Sequence, residues 1–174
     1  MKLTLILASS VDGVTNQGKG EDHHSWRSKE DELHFNTTRD NAKLIIMGSK
    51  TYEAAKDFME HKDGRLRIVL TKNPNKYNEK KIPCRLEFTN ETPVKLMQRL
   101  ESQGFETGIL VGGAHTNTQF LKDNLVDEIW ITIEPYLKGI GLNTAADTVD
   151  VYLKLISSEK LNDRGTLLLK YKVI

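Results

Sequence analysis

Residues 108–124 read Gly108-Ile109-Leu110-Val111-Gly112-Gly113-Ala114-His115-Thr116-Asn117-Thr118-Gln119-Phe120-Leu121-Lys122-Asp123-Asn124. An apolar run from Gly108 to Val111, a glycine pair, and a helix-forming stretch from about Thr116 to Asn124 describe a buried strand feeding directly into a helix. The same order occurs upstream, where Lys43 to Met47 runs into Gly48 and Ser49 stands to cap a helix reaching about Glu60. Strand-then-helix units repeated in this way predict an α/β domain whose sheet is mostly parallel, with crossover helices on its faces. Leu3 to Ser9 supplies the first strand, and Val11 to Ser25, rich in Gly, Asn, Asp and His, a long functional loop. Ser28 to Asp40 reads as a helix capped by Ser28. Leu66 to Thr71 and Arg85 to Phe88 read as strands, and Pro93 opens a helix to about Gln103. Between those two strands the Lys- and Glu-rich stretch from Asn75 to Lys81 reads as a solvated surface turn. Val126 to Pro135, Val149 to Ser157 and Thr166 to Val173 complete the strands. Asn162-Asp163-Arg164-Gly165 joins the last two as a hairpin, which makes the C-terminal edge antiparallel.

Composition narrows the function classes. The 174 residues carry 25 Lys and Arg against 24 Asp and Glu, a net charge of +1, which offers no electrostatic grip on nucleic acid or an anionic membrane. Cys84 is alone, so neither an internal disulfide framework nor a multi-cysteine metal site is available. Leu3 to Ala8 is too short for a signal core or a membrane span. No repeat or linker divides the chain. These features predict a single domain over residues 1–174 in a cytoplasmic monomer or homodimer.

Ligands of open α/β sheets bind outside the carboxyl ends of the parallel strands, so the residues after each strand carry the chemistry. Those are Ser9-Ser10-Val11-Asp12-Gly13, Gly48-Ser49-Lys50-Thr51, Thr71-Lys72-Asn73 and Gly112-Gly113-Ala114-His115. Two are glycine-to-helix junctions, where free backbone N–H groups favour phosphate, and Lys50 and Lys72 add cations. Neither a P-loop nor GxGxxG is present. Asp31 lies on the first helix with Phe35 one turn later, and Ser28-x-x-Asp31 also has the form of a capping box. The histidines lack metal-ligand spacing, and His23-His24 beside Asp22 is a weak exception. Trp26 and Trp130 fit core or cleft walls.

In motif order the chain resembles dihydrofolate reductase across nearly its whole length. The likeness rests on Ile6-Leu7-Ala8 through Ser10-Val11-Asp12-Gly13-Val14, Trp26-x4-Asp31-x3-Phe35, Ile46-Met47-Gly48-Ser49-Lys50-Thr51-Tyr52-Glu53, Gly64-Arg65 before Ile68-Val69-Leu70-Thr71, Gly112-Gly113 with Gln119-Phe120-Leu121, and Thr132. Taken together these outweigh the capping box as the role of Asp31. The loop from Gly13 to Trp26 is longer than in familiar members. Ser49 replaces a usual arginine, with Lys50 beside it, and Asn117 replaces a usual tyrosine. Leu125 to Ile129, Pro135 to Gly141 and Gly165 to Val173 look more like the reductase domain of the bifunctional riboflavin-pathway deaminase-reductases.

The resemblance implies a dihydrofolate-reductase-like fold and NADPH as cofactor. Its contacts would come from Ala8, Thr15, Gly48, Ser49, Lys50, Thr51, Leu70, Thr71, Lys72, Val111, Gly112, Gly113, Ala114, His115 and Thr116, with Gly112-Gly113 joined by a cis peptide. It further implies reduction of 7,8-dihydrofolate to 5,6,7,8-tetrahydrofolate, hydride to C6 and a proton to N5. In that reaction Asp31 and Thr132 would be catalytic, Ile6, Ala8 and Phe35 would line the substrate, and Arg65 would grip the glutamate tail. The alternative is an NADPH-dependent ribosylaminopyrimidine reductase of riboflavin biosynthesis, and a third reading is a ligand-binding module without turnover.

Overall fold

The computed structural model describes residues 1–15 and 26–174. Most of the long loop, including the His23-His24 pair, therefore lies outside the described residues. In chain order the elements begin β1 (Lys2–Ser10), α1 (Lys29–Asn41), β2 (Leu44–Gly48), α2 (Ser49–Ala55), β3 (Leu66–Leu70) and β4 (Leu86–Thr89). They continue with α3 (Pro93–Ser102), β5 (Thr107–Leu110), α4 (Ala114–Lys122), β6 (Glu128–Glu134), β7 (Leu153–Lys160) and β8 (Leu167–Val173). One sheet contains all eight strands in the order β4-β3-β2-β5-β1-β6-β8-β7. The strands from β4 to β6 are mutually parallel, and β8 pairs antiparallel with both β6 and β7.

Strand alternation divides the core in two. On one face Leu3, Leu5, Leu44, Ile46 and Leu110 are fully buried under Leu96 and Leu100 of α3 and Phe120 of α4. Each such side chain contributes about 1.5–3 kcal/mol on leaving water. On the other face Ile6, Ile45, Met47 and Val69 pack with Tyr52 of α2, Tyr77 and Phe88, and Phe35 of α1 lies against them. The sheet is thus apolar on both sides, as parallel strands under crossover helices require.

The structure departs from the sequence reading at four places. Helix α2 stops at Ala55 and passes into a 3₁₀ turn at Lys56–Phe58, short of Glu60. Tyr52 is its sole buried residue, so tertiary packing holds no further turn. Its cap is Gly48 rather than Ser49, and no side chain completes that cap. The solvated turn after β3 is a 3₁₀ stretch, Pro74–Lys80, that buries Tyr77. Tyr77 stacks on Phe88 with ring centroids 4.5 Å apart and meets the Tyr52 edge at 5.9 Å, so one aromatic among lysines decides the segment. Finally, β7 begins at Leu153, and the hairpin returns β8 inside it, which makes β7 the edge. Gly165 has φ +97°, a conformation that suits glycine in that turn.

Arg67 is an anomaly in β3. It is 3% exposed, its strand neighbours are Ile45 and Leu86, and its Nη1 finds no acceptor among the described residues. Burial, with Arg65 and Arg39 nearby, pushes its pKa down to about 10. A base depressed in this way costs stability at every pH below about 10, and the penalty fades only as pH rises through that value. Arg67→Met is expected to raise unfolding stability by about 1–2 kcal/mol, read by urea denaturation at pH 7. A loss of stability would show that the guanidinium is compensated in solution.

Candidate functional site

Strand β5 forms late in the chain yet inserts between β2 and β1. The segments leaving β2 and β5 are thereby brought side by side at the carboxyl edge. Gly48 N–H donates to Gly112 O at 2.7 Å, and a Cβ at position 48 would stand 2.4 Å from Thr116 Oγ1. Only glycine permits that approach, and a Cβ at Gly113 would press on Thr51 Oγ1 at 3.3 Å. The Gly112–Gly113 peptide is cis, as the resemblance implied. Helix α4 starts from Gly113 without a side-chain cap, so its first N–H groups are left for a ligand. Asn117, 4% exposed, donates Nδ2 to Thr144 O at 2.8 Å, while its Oδ1 is buried without a partner. That oxygen lies 3.8 Å from where a Gly112 Cβ would be.

The other wall is the N-terminus of α1. Ser28 caps the helix, its Oγ accepting from Asp31 N–H at 3.2 Å. In a capping box Asp31 would return a bond to Ser28 N–H. Glu134, at the end of β6, takes that place: its Oε1 accepts from Ser28 N–H at 2.8 Å and Ser28 Oγ at 2.7 Å, and its Oε2 accepts from Thr166 Oγ1 at 2.8 Å. The Asp31 carboxylate is released from capping and, 2% exposed, pairs with Arg27 Nε. The Arg27 guanidinium also lies 5.4 Å from the Phe35 ring centroid. Thr132, 2% exposed on β6 opposite Ala8 of β1, makes no hydrogen bond to Asp31. Ile6 opposes Trp130 two pairs earlier, so Ile6, Ala8, Trp130 and Thr132 share the sheet face that Phe35 packs against. His34 lies beside Trp130 with centroids 6.0 Å apart, and burial, then Lys170, pulls its pKa below the usual value.

The remaining expected residues separate into two groups. Ser49, Lys50, Thr51, Leu70, Thr71 and Lys72 line the ends of β2 and β3, which register Gly48 against Leu70. Lys50 and Lys72 are exposed, and neither enters an ion pair with the described residues. Val111, Ala114, His115 and Thr116 surround the glycine pair, with His115 exposed and Thr116 buried. Thr15 and Arg65 are committed elsewhere. Thr15 Oγ1 donates to Leu142 O at 2.9 Å. Arg65 donates to Asp40 O at 2.8 Å and Ala42 O at 3.2 Å, tying the end of α1 to β3. Among the described residues no three His, Cys, Asp or Glu side chains cluster as metal ligands, and no helix is long and apolar enough to cross a membrane.

Sequence reasoning missed Glu134, Arg27 and the orphaned Asn117 oxygen. A signal for Glu134 was available: a carboxylate sharing a strand face with Trp130 and Thr132 at a carboxyl edge needs partners.

The family model for the RibD C-terminal domain matches residues 1–167. The chain belongs to this family. A Bacillus subtilis relative, the uncharacterized protein YwjB, is 25% identical over 171 residues, covering 95% of this chain and 90% of its own. A pyrimidine reductase-like protein of Corynebacterium diphtheriae superposes with a TM-score of 0.78 at 16% identity, over 99% of this chain and 92% of that one. The diaminohydroxyphosphoribosylaminopyrimidine deaminase/5-amino-6-(5-phosphoribosylamino)uracil reductase of Thermotoga maritima superposes at 0.75 and 16% identity, over 99% of this chain and 56% of that chain. The family match overturns the dihydrofolate reading, and with it a place in one-carbon metabolism and tetrahydrofolate synthesis. The geometry is consistent with this correction. Asp31 Oδ2 is engaged by Arg27, and Arg65 is engaged by the Asp40 and Ala42 carbonyls and the Asp40 carboxylate.

Two outcomes are expected. Glu134→Ala strands two donors on Ser28 and the Thr166 hydroxyl, and should cost on the order of 2–3 kcal/mol in thermal unfolding, with Glu134→Gln milder; a loss below ~0.5 kcal/mol would mean that water replaces the carboxylate. Asp12, held by Ser10 Oγ and by Gly139 and Lys138 N–H, has its pKa lowered to about 2 from the usual 3.8. Its contribution is present above about pH 3.8 and disappears as pH falls through 2. A carboxyl ¹³C titration with a midpoint at the usual value would show that it does not hold the 138–139 backbone.

Proposed function

We propose that this chain is an NADPH-dependent reductase acting on a ribosylaminopyrimidine phosphate. The observation that carries the reading is the membership of the RibD C-terminal domain family, met by a carboxyl edge whose uncapped α4 N-terminus and unpartnered Asn117 Oδ1 suit a dinucleotide. Free N–H groups at the start of α4 would hold the pyrophosphate and Asn117 Oδ1 would accept from a carboxamide. Lys50 and Lys72 would meet a ribose phosphate, and no acidic residue stands immediately after β3 to take a free 2′-hydroxyl in its place. The bound cofactor supplies the hydride; the chain supplies orientation and a water-poor wall.

Ile6, Ala8, Phe35 and Trp130 would pack the pyrimidine. Arg27, 19% exposed and oriented by Asp31, is a cation at that wall that would reach a substrate phosphate. Asp31 would then act through Arg27, as a positioning residue.

The decisive assay follows NADPH oxidation with 5-amino-6-(5-phosphoribosylamino)uracil and with dihydrofolate side by side. Turnover is expected with the first substrate alone, and turnover of neither by folded protein would favour a binding module. NADPH should exceed NADH by at least about tenfold in kcat/KM, roughly 1.4 kcal/mol. Lys50→Ala combined with Lys72→Ala should erase that preference while leaving NADH kinetics unchanged. Arg27→Gln should raise KM for the phosphorylated substrate about tenfold or more without changing KM for NADPH. An unchanged substrate KM would remove Arg27 from the site.

A further inference from the structure

The buried charge on β3 is left without a counter-charge by the chain. Arg67 shares a sheet face with Val69, opposite Ile45 of β2 and Leu86 of β4, and is 3% exposed. Its Nη1 is buried with no acceptor among the described residues. His61 follows the 3₁₀ turn at Lys56–Phe58, in an irregular segment close enough for the Arg67 charge to act on its ring. Its Nδ1 is also buried without a partner among the described residues. Two buried nitrogens on adjoining segments therefore lack hydrogen bonds, which is costly unless a ligand or water supplies them.

The acids of this neighbourhood are already taken. Asp40, at the end of α1, meets Arg39 and Arg65, each at 3.3 Å. Asp63 meets Arg85 at 2.6 Å, and Glu60 meets Lys62 at 3.1 Å. With Arg67 added, five bases stand against three acids, a surplus of two positive charges. The cluster is remote from the carboxyl edge. The row through Arg67 continues to Ile45, Ile109 and Thr4, and Thr4 lies four residues before Ala8 on β1. Three strand spacings separate β3 from β1. At about 3.3 Å per residue and 4.8 Å per strand, Arg67 is roughly 20 Å from Ala8. A ring held at Ala8 and its own ribose phosphate do not span that distance, so this cluster is separate from the substrate wall.

We propose that Arg67 and His61 form a second anion site, for a phosphate-type oxyanion carried either as the free ion or as the terminal group of a phosphomonoester. Three features select this chemistry. A guanidinium with an unused Nη1 makes charge-assisted bonds to oxyanions, and its planar fork suits their geometry. The surplus of two charges matches a dianion better than a single carboxylate. The cover over the site is light: among the described residues no backbone N–H of residues 60–65 donates to another backbone group, so side chains alone hold the segment that carries His61. The charged groups that act on His61 are Arg67 of β3 and Arg85 at the entry to β4. Burial first, then these two cations, holds its pKa below the usual imidazole value. A bound dianion offsets both cations and favours the protonated ring, which turns Nδ1 into a second donor. The inference does not depend on the substrate.

The test is thermal unfolding of the full chain at pH 7 as sodium phosphate is raised from 1 to 100 mM, with sodium chloride holding the ionic strength constant. For a Kd of about 1 mM the midpoint is expected to rise by about 5 °C or more. Arg67→Met should lose most of that rise. Exclusion of phosphate from the surface stabilises both proteins alike, so the difference between them reports the site. Lys50→Ala combined with Lys72→Ala, which removes cations from the carboxyl edge, should keep the rise. An equal rise in Arg67→Met, or its loss in the lysine variant, would overturn the proposal. If Arg67→Met fails to fold, proton NMR of wild type decides: phosphate must move the His61 titration midpoint upward, and an unmoved midpoint overturns the proposal. Glycerol 2-phosphate separates the two sources. Binding at least as tight as that of inorganic phosphate supports the site as one for a phosphomonoester, and binding of inorganic phosphate alone supports it as one for the free ion. Binding of neither overturns it.

Discussion

A single buried carboxylate, Glu134, joins three parts of the chain that are distant in sequence. It holds the first turn of α1 through Ser28, stands at the end of β6, and receives the Thr166 hydroxyl where the chain enters β8. A carboxylate 2% exposed is tolerable only because each of its oxygens has a donor. The consequences reach the site directly. Because Glu134 completes the cap of α1 from outside the helix, Asp31 is free to orient Arg27 in place of its own backbone. Because it also fixes the start of β8, the C-terminal hairpin is added in a defined register beside β6, and the sheet grows past the last helix that could cover it.

The sheet and most of its helices were legible in the sequence because the apolar periodicity and glycine punctuation that encode them are local. Gly48 and Gly112-Gly113 were readable for the same reason: close backbone approach admits only glycine. What the sequence concealed depends on partners far away in the chain. Tyr77 is an aromatic in a lysine-rich stretch, and its burial is set by Phe88 and Tyr52 on other elements. The box form of Ser28-x-x-Asp31 was correct as far as the cap, but its second bond went to a residue 106 positions away.

The misreading of the substrate has a related physical origin. The motifs that resembled dihydrofolate reductase most closely, Met47-Gly48-Ser49-Lys50-Thr51 and Gly112-Gly113, shape the backbone at two strand ends. A reductase of either substrate needs that backbone for the same dinucleotide, so those motifs carry no information on what is reduced. The discriminating residues lay in the C-terminal third, in Leu125 to Ile129 and Pro135 to Gly141, which already resembled the riboflavin-pathway reductases.

Charge is distributed along the carboxyl edge in a way that would give a dinucleotide one direction under the proposed function. The exposed cations Lys50 and Lys72 stand at the β2 and β3 end, three strands from the Arg27–Asp31 pair at β6. A ligand carrying phosphate at one end and a neutral ring at the other is drawn with its phosphate toward β3, which directs the ring across Gly112-Gly113 toward Ala8 of β1. On the far side of β1 Arg27 is paired with Asp31, while the buried Glu134 carboxylate keeps its charge and is held by neutral donors. Under the proposed function that wall would select by fit and by the Arg27 guanidinium. Under the proposed function, cofactor affinity and substrate choice would fall at opposite ends of one sheet edge, separated by β5 and β1, and substitutions at one end would leave the other unchanged to first order.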